Sequence, residues 1–356
     1  EINFYEKQPK NTSVQLAKLR KFFTTRTRSY KEFNKILVSK LNINQNVLVI
    51  GCGFFSQNIY LPILKYFFKK EQIFVYDERP NLKKKISEFF GYNYLNDVSK
   101  LELKKNKIKI CFLCYERTRS FYYVKKILNS GVHLFGEKPI CDNFRDLKNL
   151  YNLSKINKVI LDGSFQRLYE KKIIEAKNKI NYSKPIKLEC FFSSGNFRHN
   201  KKTLVRTNEK ILTIKKKKNL NIISYLIFLN RYWHILNTVN YLTGYTNLKR
   251  NKIKFIKYDM YTYYLEIKNQ NLEIKFYLSS KKIKGWHEKY IVKNNNGKIT
   301  FNLDAPMKFS KKDYNKTTFY LQIKNFINSI KVLKNDRIEQ FSKELKFIEK
   351  IWKKSV

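Results

Sequence analysis

The sequence predicts an α/β protein, an N-terminal doubly wound parallel sheet followed by an α+β domain with a large, mostly antiparallel sheet. Three observations lead there. From Asn46 onward short apolar runs alternate with helical stretches; a Gly51-Cys52-Gly53 turn separates the first run from the first helix; and beyond Gln166 the rhythm changes to longer strands of alternating polar and apolar residues. The expected divisions are a basic helical extension over 1–45, a first domain over 46–165 and a second over 166–356.

Each element has its own signal. Val47 to Ile50 reads as the first strand, with a helix after the glycines, and Ile73 to Tyr76 as the second. Pro80 to Phe90 returns as a helix because proline suits its first turn and Gly91 its end. Ile108 to Cys114 is the next strand, Arg119 to Asn129 a helix closed near Gly131, and Val132 to Phe135 a strand. Asp142 is placed to cap a helix reaching about Asn157, and Lys158 to Leu161 follows as a strand. Past Gln166 come one helix, a strand at Ile186 to Phe192, an irregular basic stretch and an aromatic-rich helix from Leu220 to Leu242. Strands then dominate: Lys254 to Tyr258, Tyr261 to Lys268, Leu272 to Ser279, Tyr290 to Lys293 and Ile299 to Leu303, the last two joined by an Asn294-Asn295-Asn296-Gly297 hairpin. Phe319, Ile323, Phe326, Ile327 and Ile330 form one face of a closing helix. In the extension, Leu16 to Phe23 and Tyr30 to Leu41 read as amphipathic helix, expected to pack on a neighbouring domain or subunit.

Composition narrows the function classes. Hydrophobic residues make up 43% of 356, enough for two packed cores. The longest apolar run, Ile222 to Leu229, is far short of the roughly 18 residues a membrane span needs, so no transmembrane helix is expected. No secretory pattern opens the chain, and a cytoplasmic protein is the expectation. The net charge of +46 raises the question of nucleic acid. The excess is mostly lysine, spread along the chain with abundant Asn and Ile as AT-rich coding would produce, and it brings no base-reading or stacking motif. Nucleic acid is therefore not the expected partner, and Lys215 to Lys218 reads as a solvated loop. Five cysteines without framework spacing fit reduced thiols. Cys111 and Cys114 lie on one strand at positions facing opposite sides, which argues against a shared metal.

The chemistry-bearing positions begin at the glycine turn. Gly51 allows the tight turn, Gly53 lets the backbone approach a pyrophosphate, and Ser56 stands where a third glycine would ease helix packing, with Phe54 and Phe55 lending backbone amides at the helix start. This is the pattern of a Rossmann dinucleotide-binding turn. Asp77, ending the next strand, is placed to accept ribose hydroxyls, which favours NAD, whereas Arg79 would suit the 2′-phosphate of NADP.

From Asn46 onward the chain also resembles the Gfo/Idh/MocA oxidoreductases. Gly136-Glu137-Lys138-Pro139 is similar to that family's Glu-Lys-Pro motif, Phe165-Gln166-Arg167 to the start of its second domain, and Asn230-Arg231-Tyr232-Trp233-His234-Ile235-Leu236-Asn237, running on to Gly244, to its Asp-x-x-x-His-x-x-Asp helix. The resemblance implies that Lys138 contacts the reacting hydroxyl and the nicotinamide, that Glu137 lies at the cofactor's edge, that the bond before Pro139 is cis, and that His234 acts as acid or base with Asn230 one turn away. Asn230 and Asn237 replace two aspartates, and Glu116-Arg117-Thr118-Arg119-Ser120 lacks the usual Pro and His.

The expectation is an NAD(P)-dependent oxidoreductase that moves hydride between nicotinamide and a carbinol carbon of a sugar, nucleotide-sugar or cyclitol. The resemblance further implies a homo-oligomer formed through the second sheet. The alternative is a catalytically silent dinucleotide-binding sensor of the same fold.

Overall fold

The computed structural model describes residues 45–53, 55–115, 117–194, 220–247, 251–259, 261–279, 286–294, 297–303, 317–333 and 337–353, with residues 117–119, 194, 220–223, 227, 230 and 247 described by backbone alone. The expected helices of the extension lie outside these residues.

Six parallel strands form the first sheet: β1 (Asn46–Ile50), β2 (Ile73–Tyr76), β3 (Asn93–Tyr94), β4 (Ile108–Leu113), β5 (His133–Gly136) and β6 (Leu161–Gly163), in the order β3-β2-β1-β4-β5-β6. That order reverses direction between β1 and β4. In open α/β sheets the reversal leaves a crevice at the carboxyl ends of the two strands, where ligands bind. The crossovers are a π-helical turn, Ser56–Tyr60, running into α1 (Leu61–Leu64), then α2 (Pro80–Phe90), α3 (Lys100–Lys105), α4 (Arg117–Asn129) and α5 (Phe144–Ile156).

Several expected boundaries move, among them the starts of α5 and β6. Asn143, not Asp142, caps α5, its side chain accepting from the Asp146 amide at 2.8 Å. Strand β6 starts three residues late because Lys158 sits at φ +52°, a left-handed turn that no strand contains.

A 3₁₀ turn, Gln166–Tyr169, and α6 (Lys171–Lys179) lead to the second sheet, β7 (Ile186–Ser194), β8 (Lys252–Lys257), β9 (Thr262–Lys268), β10 (Leu272–Ser279), β11 (Trp286–Asn294) and β12 (Gly297–Leu303), ordered β12-β11-β7-β10-β9-β8. Only β7 and β10 pair in parallel; the remaining pairs are antiparallel, as expected. Between β7 and β8 runs α7 (Leu220–Thr243), and α8 (Thr318–Val332) and α9 (Arg337–Lys353) close the chain.

Strand alternation divides the apolar side chains into two cores. Val47 and Val49 face one side of the first sheet, where Ile59, Leu82 and the α8 residues Phe319, Ile323 and Phe326 cover them. Leu48 and Ile50 face the other, in a core that runs on through Trp233 and Leu236 of α7 to Ile274 and Phe276 of the second sheet. Helix α7 is apolar on nearly all sides because it lies inside this second core. Its buried position carries His234 to the junction of the two sheets.

Candidate active site

The site grows from the crevice between β1 and β4. Gly51 takes φ +92°, which costs glycine nothing. A Cβ there would stand 3.0 Å from the Cys114 carbonyl group and from the Tyr115 ring, so the turn is pressed against the loop leaving β4. Gly53 differs, since a Cβ on it would meet nothing within 4 Å. The missing side chain leaves open space beside the backbone, as close approach of a pyrophosphate requires. Gln57 braces the turn, its amide N–H donating to the Gly53 carbonyl at 3.0 Å and its side-chain amide to the Cys52 carbonyl at 2.7 Å. Ser56 is buried at the start of the π-helical turn. The Phe55 ring packs edge-on against Tyr60 and Phe319, while Phe54 lies outside the described residues.

Asp77 anchors the other wall. Its carboxylate accepts from the Cys52 amide at 2.8 Å, the Arg79 amide at 3.0 Å, Arg79 Nε at 2.7 Å and Arg79 Nη2 at 2.9 Å, with the side chain 1% exposed. Four donors match the roughly four lone-pair positions of a carboxylate. The Asp77 expected to meet a ribose is thus covered by the Arg79 expected to meet a phosphate.

Strand β5 delivers Glu137-Lys138-Pro139 to the same edge, and the Lys138–Pro139 bond is cis. The Glu137 amide donates to the Leu113 carbonyl at 2.9 Å, which fixes the turn beside the end of β4. Tyr60, projecting from the π-helical turn, donates its hydroxyl to the Glu137 carboxylate. Burial pushes that carboxyl above its usual range, opposed by Tyr60, by the charge of Lys138 and by Ser164.

The second domain supplies His234. It is 6% exposed, and neither ring nitrogen has a hydrogen-bond partner among the described residues. Burial, with the positive charges of Lys138, Arg167 and Arg231, pushes the imidazole well below the ordinary histidine range, so it is neutral. Trp286 stacks on the ring at 6.0 Å between centroids. A buried ion pair holds Trp286 in turn: Glu288 accepts from Trp286 Nε1 at 3.0 Å, from Arg167 Nη2 at 2.5 Å and from the Tyr290 hydroxyl at 2.7 Å. Asn230 lies on α7 one turn before His234, with only its backbone described. Asn237 serves another purpose, donating to Glu344 of α9 at 2.9 Å.

The structure therefore brings Gly51, Gly53, Ser56, Asp77, Arg79, Glu137 and Lys138 to one edge of the first sheet. Tyr60, Trp286, Glu288 and Glu344 have no counterpart in the sequence reading. Glu288 carries a legible signal, a carboxylate at an inward position between Trp286 and Tyr290. Tyr60 and Glu344 carry none, being spaced like ordinary core positions. The five cysteines are free, and burial raises the Cys52 and Cys114 thiols, so neither is a ready nucleophile. Among the described residues no cluster of His, Cys, Asp or Glu could hold a metal ion, and no helix is long and apolar enough to cross a membrane.

Fold and glycine turn together define an α/β protein whose first sheet has the Rossmann strand order. Residues 45–165 match the family model described as "Oxidoreductase family, NAD-binding Rossmann fold", so this stretch is similar to the Gfo/Idh/MocA oxidoreductases. No curated protein matches the sequence. Solved structures share the two-domain fold. A probable dehydrogenase from Thermotoga maritima superposes with a TM-score of 0.68 at 16% identity, covering 87% of this chain and 96% of its own. Myo-inositol 2-dehydrogenase from Lactobacillus plantarum gives 0.65 at 14%, with 87% and 96% covered. Scyllo-inositol dehydrogenase from Lactobacillus casei, solved with NAD(H) and scyllo-inositol, gives 0.64 at 12%, with 87% and 97% covered.

Proposed function

We propose that the protein is an NAD(P)-dependent oxidoreductase acting on a carbinol carbon of a sugar, nucleotide-sugar or cyclitol. When bound, the nicotinamide supplies the hydride chemistry. The glycine turn with the Ser56 helix start is suited to the diphosphate, the Asp77–Arg79 pair to the adenosine ribose, and Glu137 with Lys138 to the nicotinamide end. Lys138 holds the substrate hydroxyl, its ammonium donating to the oxygen as the carbinol becomes a carbonyl and the hydroxyl proton leaves. His234 meets the same hydroxyl from the second domain, with Asn230 one turn away to orient it. A neutral imidazole can accept that proton, whereas an imidazolium cannot.

One observation carries this reading. The unpartnered, buried imidazole of His234 and the Lys138 ammonium come from different domains and lie close enough for the lysine charge to depress the histidine. The reading places the protein in the cytosol, in keeping with five free thiols. It also pairs copies through the second sheet, whose outer face carries the exposed, stacked rings of Phe191 and Tyr277.

The test has two stages. NADH and NADPH are titrated by fluorescence, and then the oxidised cofactor is offered with inositols, free sugars and nucleotide-sugars. In Lys138→Ala, turnover at saturating cofactor is expected to fall about 100-fold or more, with the cofactor still bound through its adenosine and diphosphate. Unchanged turnover in that variant removes Lys138 from the chemistry. Tight cofactor binding with no turnover by the native chain on any of these compounds favours the silent sensor.

A further inference from the structure

Behind the Glu-Lys-Pro turn lies a row of polar groups that neither the glycine turn nor the catalytic pair uses. The Tyr60 ring is buried at 1% exposure among Phe55, Phe112 and Phe135, with its hydroxyl on the Glu137 carboxylate. Ser164, just past β6 and 1% exposed, lies within reach of the same carboxylate. Its amide donates to the Gly136 carbonyl at 2.9 Å, so Ser164 and Glu137 are tied to the same strand end. Gln322 of α8 is fully buried and donates from Nε2 to Ser164 Oγ at 3.1 Å. A serine that accepts from Gln322 keeps its own proton free to donate. Gln322 donates to Ser164 and Tyr60 to Glu137, which leaves the Ser164 proton facing the Tyr60 and Glu137 pair.

A buried carboxylate remains ionised only if donors replace the water it has lost. We propose that Tyr60 and Ser164, the latter oriented by Gln322, are positioning residues that hold the Glu137 carboxylate charged and fixed in direction, and that Glu137 in turn holds Lys138 at the nicotinamide end of the cofactor. The tyrosine comes from the π-helical turn, the serine from just past the last strand of the first sheet and the glutamine from α8. The titratable groups facing Glu137 are Tyr60, Cys114 and Lys138. Burial raises the Glu137 carboxyl, and Tyr60, Lys138 and Ser164 bring it back down. Loss of the tyrosine hydroxyl removes one of the lowering partners, so Glu137 then protonates at higher pH.

This inference rests on the proposed cofactor site, and ADP-ribose separates the two, because it carries the adenosine and diphosphate but no nicotinamide. NADH, NADPH and ADP-ribose are titrated into the native chain and into Tyr60→Phe between pH 5.5 and 8.5. Tyr60→Phe is expected to keep ADP-ribose affinity within about twofold, to weaken the better of NADH and NADPH by about tenfold, and to move the pH midpoint of bound nicotinamide fluorescence upward by about one unit. Ser164→Ala and Gln322→Leu are expected to shift the midpoint the same way by less, and they carry the test if Tyr60→Phe does not fold. An unmoved midpoint and unchanged dinucleotide affinity in all three overturn the proposal. Equal weakening of ADP-ribose and dinucleotide also overturns it, because Tyr60 would then be only a packing residue. Native protein that binds ADP-ribose but neither dinucleotide overturns both this proposal and the cofactor reading.

Discussion

Arg79 and Asp77 stand two residues apart, and their side chains have closed on each other. The carboxylate that would discriminate in favour of an unphosphorylated ribose holds a guanidinium at two oxygens and a turn amide besides. A ribose hydroxyl reaches it only if Arg79 moves, whereas a 2′-phosphate would meet Arg79 where it lies. The outcome expected for Arg79→Gln is a rise of about tenfold in the ratio of NADH to NADPH affinity, as the carboxylate is released and the phosphate partner lost. Fluorescence titration of both cofactors measures it, and a ratio unchanged in the variant shows that Arg79 is only a partner for Asp77. The sequence pointed to both residues because a charged pair at the end of a second strand has few structural duties. It leaned to NAD because contact between the two side chains cannot be read from their spacing.

Helix α7 depends on α9 for its seat. Glu344 is 1% exposed and accepts from Trp233 Nε1 at 3.0 Å, Asn237 Nδ2 at 2.9 Å and Asn240 Nδ2 at 2.7 Å. Three donors on one face of α7 thus converge on a single carboxylate, and His234 follows Trp233 directly on the same helix. Glu344→Gln places an amide NH₂ against donors and leaves at least one unsatisfied, at a cost of about 2–4 kcal/mol. Urea unfolding is expected to show that loss, and a midpoint equal to the native one would mean the carboxylate is dispensable. Asn237 is where sequence and structure part most clearly. The sequence shows it only as a replaced aspartate, yet its amide is a donor to Glu344, and an aspartate there would set two carboxylates together in the core. Elements with local signals were legible: β2 and α2 fall at their expected residues, and the change of rhythm after Gln166 marks the second sheet. Elements without one were not. The two exposed residues of β3 have no apolar pattern, and β11 begins at Trp286 because pairing with β7 extends it past its evident alternation.

The charge of +46 belongs to the whole chain, its lysine excess being spread along the sequence. On the outer side of the second sheet lysines alternate with carboxylates, Lys275 on Glu273 at 2.8 Å and Lys187 on Glu273 at 3.7 Å. Exposed pairs of this kind contribute little stability, and the remaining excess repels itself in the folded state more than in the expanded one. The ion pair at the centre is different in kind, because Arg167 and Glu288 are shielded from solvent on every side. Added salt therefore screens the surface repulsion and leaves the central pair almost untouched. Thermal unfolding is expected to rise by roughly 5 °C between about 0.01 and 0.3 M NaCl, a range over which the screening length falls from about 30 Å to below 10 Å. Potassium chloride should give the same curve if the effect is screening and not sodium binding. A melting temperature that stays flat or falls with salt would mean that the folded chain gains more from its exposed ion pairs than it loses to its uncompensated lysines.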